Sequence, residues 1–374
     1  MMGSGHPAAP GKEYGPLMIT AAPTRLQPQG WQQAWREAIR DPRELLALLG
    51  LDGVVPASEA ATEAFALRVP RGFVGRMRHG DPHDPLLRQV LPLDEELRPV
   101  PGFDLDAVGD AQAGAGQGVI RKYAGRALLV ATGSCAVHCR YCFRRHFPYA
   151  EQSAAAGGWQ AAVEAIAADP SLHEVILSGG DPLSLATPKL AELTAALAGI
   201  AHVRRLRIHT RLPIVLPERV DAALVDWIAA LPWPVAVVVH ANHAREFDAE
   251  VDAAMAHLRA AGALLLNQAV LLRGVNDSLD AQAALHERSF AAGVLPYYLH
   301  QLDRVAGAAH FEVDDAAALA LHAAMRDRLP GYLLPRLVRE VAGDASKRPL
   351  LPAAMDAGGR PWHNAPHGGE NACR

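Results

Sequence analysis

From residue 127 onward the chain alternates short, continuous apolar runs with longer stretches of helical periodicity. Six of these runs predict buried strands, at residues 127–131, 174–178, 204–209, 235–240, 263–271 and 294–300. Between them, residues 159–168, 188–198, 218–230, 246–261 and 280–292 predict helices. Apolar runs that are continuous rather than alternating suit parallel strands covered on both faces. Strand–helix units in series place the chain in the α/β class, as a parallel barrel or a doubly wound sheet. In a barrel, polar residues just past the strand C-termini line the active face.

Upstream the pattern is less regular. Residues 1–28 are rich in Gly, Pro and Ala and are predicted to be disordered. A helix is expected over 30–40, with Trp31, Trp35 and Ile39 four apart on one face. Asp41-Pro42 reads as an N-cap followed by Pro at the first helical position, opening a second helix through Leu49. The expected organisation is a helical and irregular N-terminal extension over 29–118, a barrel over 119–330, a short C-terminal segment over 331–352 and a disordered tail over 353–374. Beyond the strand–helix alternation there is no repeat of fixed period.

With 374 residues, half of them hydrophobic, the chain can bury a large core. Its net charge of −4 provides no global basic field for nucleic acid. No apolar stretch approaches the roughly 20 residues that span a membrane, and no secretory signal pattern opens the chain. No nucleic acid or membrane partner is therefore expected, and a reducing cytoplasm is the expected location.

Of four cysteines, three lie close together in Cys135-Ala-Val-His-Cys139-Arg-Tyr-Cys142, just past the first barrel strand. That is poor spacing for disulfides and good spacing for a metal or cluster. Three thiolates can hold three irons of a four-iron, four-sulfur cluster and leave the fourth iron open. The rival readings are inert buried thiols or a zinc site, which would need His138, His146 or distant Cys373 as its fourth ligand.

This spacing, with an aromatic just before the last cysteine, resembles the radical S-adenosylmethionine superfamily. The resemblance implies that the open iron binds the methionine end of S-adenosylmethionine, whose reductive cleavage gives a 5′-deoxyadenosyl radical. It also implies that Tyr141 lies against the adenine, where a core aromatic is the alternative. Ser178-Gly179-Gly180-Asp181-Pro182, past the second strand, is similar to the superfamily's glycine-rich contact to the methionine amino group. By itself it could be an ordinary turn.

The wider stretch from about residue 30 to 350 resembles the lysine 2,3-aminomutase family, and most of all its bacterial branch that makes β-lysine for elongation factor P. The matching segments are Phe65 through Pro70, Cys135 through Tyr149, Ser178 through Pro182, Arg211 through Val215, Leu266 through Gln268, Gly274 through Asp277, and Pro296 through Tyr298. The resemblance implies a partial (β/α)6 parallel barrel of radical S-adenosylmethionine type, with an N-terminal helical extension and a short C-terminal segment bearing the cofactor lysine. It implies three cofactors: a 4Fe-4S cluster on Cys135, Cys139 and Cys142, S-adenosylmethionine near Tyr141, Gly179, Gly180 and Asp181, and pyridoxal 5′-phosphate on Lys347. The usual glycine run before that lysine is Gly343-Asp-Ala-Ser here. Arg144 matches the arginine for the substrate carboxylate. Asp277 and Glu340 match the acids for the distal ammonium, although Asp277 could equally serve the helix start near Ser278. Arg126 matches a contact to the cofactor phosphate, with Lys122 as a further candidate. His209, His240 and His243 are assigned no catalytic role, and Cys373 reads as an incidental tail thiol.

The expected activity is an isomerase, an L-lysine 2,3-aminomutase giving β-lysine, the R form by branch resemblance. Its expected partners are free L-lysine, a one-electron reductant of flavodoxin or ferredoxin type, and a ligase that attaches the product to elongation factor P. The alternatives are a catabolic lysine aminomutase, an aminomutase of glutamate or arginine, and a non-enzymatic iron–sulfur electron carrier or RNA-binding protein. Acids at both Asp277 and Glu340 favour a cationic substrate, and the short sequence after Lys347 favours the translation-linked branch.

Overall fold

The computed structural model describes residue 1 and residues 30–113, 118–152, 154 and 159–351. The expected disordered tail over 353–374, with Cys373, and all of 1–28 except Met1 lie outside the described residues. One sheet of nine strands, ordered as in the sequence, organises the rest. Strand β1 (Val119–Ile120) runs antiparallel to β2 (Arg126–Thr132). Parallel to β2 follow β3 (Glu174–Gly179), β4 (Arg205–Thr210), β5 (Val235–Val239), β6 (Leu264–Val270), β7 (Leu295–His300) and β8 (Arg336–Arg339). Strand β9 (Arg348–Pro349) closes the order antiparallel to β8, and it is not paired with β1, so the barrel stays open.

The six expected strands are β2 to β7. Strand β8 adds a seventh parallel strand, which draws the expected separate segment 331–352 into the barrel. Only Leu337 and Val338 of β8 are buried, between two arginines, too short an apolar run to signal a strand. A helix over Asp315–Arg328, also unpredicted, precedes it. Two expected helices start later than their apolar texture suggests. Asp221 caps Ala222–Ala229 and Asp248 caps Ala249–Ala260, each after a separate 3-10 turn.

The two faces of the sheet have different roles. Val175, Leu177, Leu206, Ile208, Val237, Val239, Leu265 and Leu299 face the helices and form the core. Their alternates Arg126, Ser178, Arg207, His209, Gln268 and His300 face inward, around a cavity of about 590 Å³. Reading the runs as uniformly apolar therefore missed a polar inner face.

In the N-terminal extension, Asp41 caps Pro42–Leu48 as expected, with its side chain accepting from the Arg43 N–H. The first helix is shorter than expected, Trp31–Arg36, because Ile39 leaves it to pair with Val69 through backbone bonds of 2.8 and 3.0 Å. Farther on, Glu96 is buried and accepts from Arg140 Nε at 2.8 Å and Arg145 Nη2 at 2.7 Å. The two guanidiniums also lie 4.9 and 4.8 Å from the Phe65 ring centre. Both arginines flank Cys142, so this triad fixes the cysteine loop to the extension. Glu96→Ala would leave two buried cations unpaired and is expected to cost about 3–5 kcal/mol of stability. Chemical denaturation checks this. Among the described residues, no helix is long and apolar enough to cross a membrane.

Candidate active site

Cys135, Cys139 and Cys142 all line the cavity. Burial, then the neighbouring Cys142, Asp181 and Cys139, pushes the Cys135 thiol well above its ordinary value. Burial and Cys139 push Cys142 up to about 11. Cys135 and Cys142, buried and held neutral, form with Cys139 a set of soft donors that fits a cationic, thiophilic centre, whose charge would favour their thiolates. Among the described residues, no three His, Cys, Asp or Glu side chains converge to hold a single ion. The two nearby histidines that could complete a zinc site face other partners. His138 meets the Ala66 carbonyl at 2.8 Å and stacks on Phe65, and His146 meets the Ala306 carbonyl at 3.1 Å. The donor set therefore fits a multinuclear cluster better than zinc.

The turn after β3 packs directly under the cysteine loop. Gly180 and Asp181 donate backbone N–H bonds to Thr132 and Ser134 at 2.7 and 2.8 Å. A Cβ on Gly179, at φ +121°, would lie 2.3 Å from the Thr132 carbonyl oxygen, and one on Gly180 2.5 Å from that of Ser134. The glycines thus permit close approach of the chain to itself, though both still line the cavity. Asp181 differs from expectation: its side chain joins β3 to β4. Its Oδ1 accepts from Leu183 N and Thr210 Oγ1, and its Oδ2 from Arg211 N and Leu212 N. With both oxygens engaged, it is a brace for the loop rather than a free ligand-binding acid.

Tyr141 is buried at the cavity wall, 5.8 Å from the His240 ring, and its hydroxyl accepts from Arg211 at 2.6 Å and Asn242 at 2.7 Å. His209, His240 and His300 also line the cavity. Burial, then neighbouring cations, holds His209 and His300 well below the ordinary histidine value and His240 at about 3. All three are neutral imidazoles. His243, in contrast, caps a turn outside the cavity.

A ladder of alternating charges runs along another part of the wall. Arg144 Nε donates to Asp110 at 2.7 Å, and Lys122 bridges Asp110 at 2.5 Å and Glu340 at 3.2 Å. Lys347 completes the ladder on the other oxygen of Glu340. Burial alone would raise Glu340, but Lys347 and Lys122 hold it down to about 2. Lys122 is thus occupied by two carboxylates and the Val108 carbonyl, which removes it as a phosphate contact. Arg126 lies 5.0 Å from the Tyr123 ring centre, and its buried Nε has no partner among the described residues. That unspent donor, facing the same cavity as Lys347, fits an anionic cofactor group.

Asp277 is not part of this assembly. It is exposed, away from the cavity, and Ser278 rather than Asp277 caps Leu279–Ala291. The acid that the cavity offers in its place is Asp303, three residues past β7, whose buried Oδ1 has no partner among the described residues. Burial, then the charge of Glu340, pushes its carboxyl up to about 7. The rule that polar residues past barrel strands line the active face could have found it.

No family model matches the chain. It is 48% identical over 324 residues to an L-lysine 2,3-aminomutase of Escherichia coli (strain K12), covering 86% of this chain and 94% of that protein. Identity to the Haemophilus influenzae protein of the same name is 42% over 331 residues, covering 88% and 98%. To that of Clostridium subterminale it is 33% over 326 residues, covering 85% and 78%. A solved radical SAM methyltransferase from Sphaerobacter thermophilus aligns over 59% of this chain and 68% of its own, at 20% identity and a TM-score of 0.40.

Proposed function

The chain belongs to the L-lysine 2,3-aminomutase family, and on that premise we propose that it moves the amino group of free L-lysine from C2 to C3, giving β-lysine. The observation that best supports this reading is the shared cavity, which brings together three thiols, Lys347, Arg144 and the acids Asp303 and Glu340. When bound, the cluster and S-adenosylmethionine supply the radical that removes hydrogen from C3, and pyridoxal phosphate supplies the group that delivers the migrating nitrogen.

The residues of the chain position the substrate. The planar fork of Arg144 suits a carboxylate, and its present partners, Asp110 and the Ser178 hydroxyl at 3.0 Å, mark where that carboxylate would enter. Asp303 offers the distal ammonium an oxygen that is unpaired among the described residues, with Glu340 as its neighbour. Once Lys347 is committed to the cofactor it no longer pairs with Glu340, which leaves that carboxylate for the distal ammonium of the substrate. Charge pairing at both ends of lysine fixes C3, an orientation effect that reaches about 7–11 kcal/mol in the best-aligned intramolecular cases. The neutral histidines place no further cation beside the distal ammonium. Asp303 and Glu340 at the distal-ammonium end favour lysine over glutamate as the substrate.

The further expectations belong to the same reading: the R product, a flavodoxin- or ferredoxin-type reductant, a cytoplasmic setting and a separate ligase that passes β-lysine to elongation factor P. The test is anaerobic incubation of the reconstituted protein with lysine, S-adenosylmethionine, pyridoxal phosphate and dithionite. Formation of β-lysine is expected. Deoxyadenosine without β-lysine would overturn the substrate assignment, and neither product from cluster-loaded protein would overturn the enzyme assignment.

A further inference from the structure

Arg211, the first residue past β4, is buried at the cavity wall, and its side chain reaches the cysteine loop. Four of its five N–H groups are engaged. Nη1 donates to Cys139 Sγ at 2.7 Å and to the Tyr141 hydroxyl at 2.6 Å. Nη2 donates to Gln89 Oε1 at 2.7 Å and to Glu246 Oε2 at 3.0 Å. The supports are themselves fixed. Glu246 is fully buried and accepts from Gln89 Nε2 at 3.1 Å and from the backbone N–H groups of Asn242 and His243 at 2.8 and 3.1 Å. Three regions of the chain, the N-terminal extension, the β4 end and the loop after β5, thus hold one guanidinium against one sulfur.

We propose that Arg211 is a positioning residue that sets the reduction potential of the cluster, through a charged hydrogen bond to the Cys139 sulfur. The inference rests on the cluster assignment made above. Hydrogen bonds to ligating sulfurs and nearby charge are principal determinants of iron–sulfur potentials. One-electron reduction, by an external carrier of flavodoxin or ferredoxin class, adds a negative charge to the cluster and its thiolates. A cation bonded to a ligating sulfur stabilises that reduced state more than the oxidised one, so Arg211 raises the potential. Glu246, on the far side of the guanidinium, opposes it and tunes the result. A role confined to packing would involve neither sign.

The test is a reductive titration followed by electron paramagnetic resonance, on anaerobically reconstituted full-length protein of measured iron content. Arg211→Gln is expected to shift the reduction equilibrium about tenfold toward the oxidised cluster, about 59 mV lower for one electron. Glu246→Gln is expected to move the potential the other way, a reversal that general loosening of the site would not produce. If Arg211→Gln fails to fold, Glu246→Gln still decides the matter. A potential equal to or below wild type in that variant overturns the proposal. Wild-type protein that forms no reducible four-iron cluster overturns the function reading and this inference together. A normal cluster with unmoved potentials overturns this inference alone.

Discussion

Lys347→Ala is expected to abolish β-lysine formation, by about 10⁴-fold or more in kcat, the scale seen when a covalent catalytic group is removed. Iron uptake should be unchanged, because Lys347 does not touch the cysteine loop. Among the described lysines, the surroundings favour Lys347. Lys189 is exposed on the helix Thr187–Ala198 and pairs with Glu192 at 2.8 Å. Lys122 lines the cavity but is held by Asp110, Glu340 and the Val108 carbonyl. Lys347 lines it too, and its ammonium is bound only by Glu340 among the described residues, the acid that the substrate ammonium would engage. Lys347→Arg separates ion pairing from covalent chemistry. It keeps a cation for Glu340 and should preserve thermal stability, yet be as inactive as the alanine variant. Borohydride treatment of cofactor-loaded wild type should leave a mass increment on the peptide bearing Lys347. An increment on Lys122, or activity of Lys347→Ala within tenfold of wild type, would disprove the assignment.

What the sequence revealed depended on how local the signal was. The cysteine triplet, the strands β2 to β7 and the Asp41-Pro42 cap are contiguous patterns, and each occupies its expected place. Strand β8 has two buried residues and depends on β7 and β9 for its hydrogen bonds, so no window of sequence could display it. The ladder from Arg144 to Lys347 joins residues more than 200 positions apart. Its alternation of charge exists only once β2 and β8 are both in place. Arg140, Arg145 and Arg211 each lie in a matched segment. Their partners Glu96 and Glu246 lie in distant elements, so only the fold revealed the charges as buried pairs.

The exchange of Asp277 for Asp303 has a similar cause. An acid before a helical run is ambiguous in sequence, because Asp is equally at home near a helix N-terminus. The fold gave that end of the helix to Ser278 and left Asp277 in solvent. Asp303 lies in no matched phrase, but its place past β7 puts it beside Glu340. The resulting pair of acids, one held near 2 by two lysines and the other raised to about 7, is an uneven one. Glu340 is charged at every relevant pH, whereas Asp303 is still titrating at neutrality.

That difference gives the second large prediction. Lysine needs the charged form of Asp303, so kcat/KM should fall as pH drops through about 7, by up to tenfold per unit. Asp303→Asn should remove this limb of the profile. At pH 8 it should lower kcat/KM by about 10²–10³, the cost of truncating one partner of a buried charge pair. At saturating lysine the loss in kcat should be smaller, because the interaction is made in the ground state as well. Without substrate the sign reverses. A carboxyl at about 7 in the folded protein retains a proton that the unfolded chain releases near pH 4, so stability falls as pH rises across that window. Asp303→Asn, free of this penalty, should therefore be at least as thermostable as wild type at pH 8. Its advantage should vanish below pH 4, where Asp303 is protonated in both states. Lower stability at pH 8 together with an unchanged pH profile would mean that Asp303 is a structural acid and that the distal ammonium binds elsewhere.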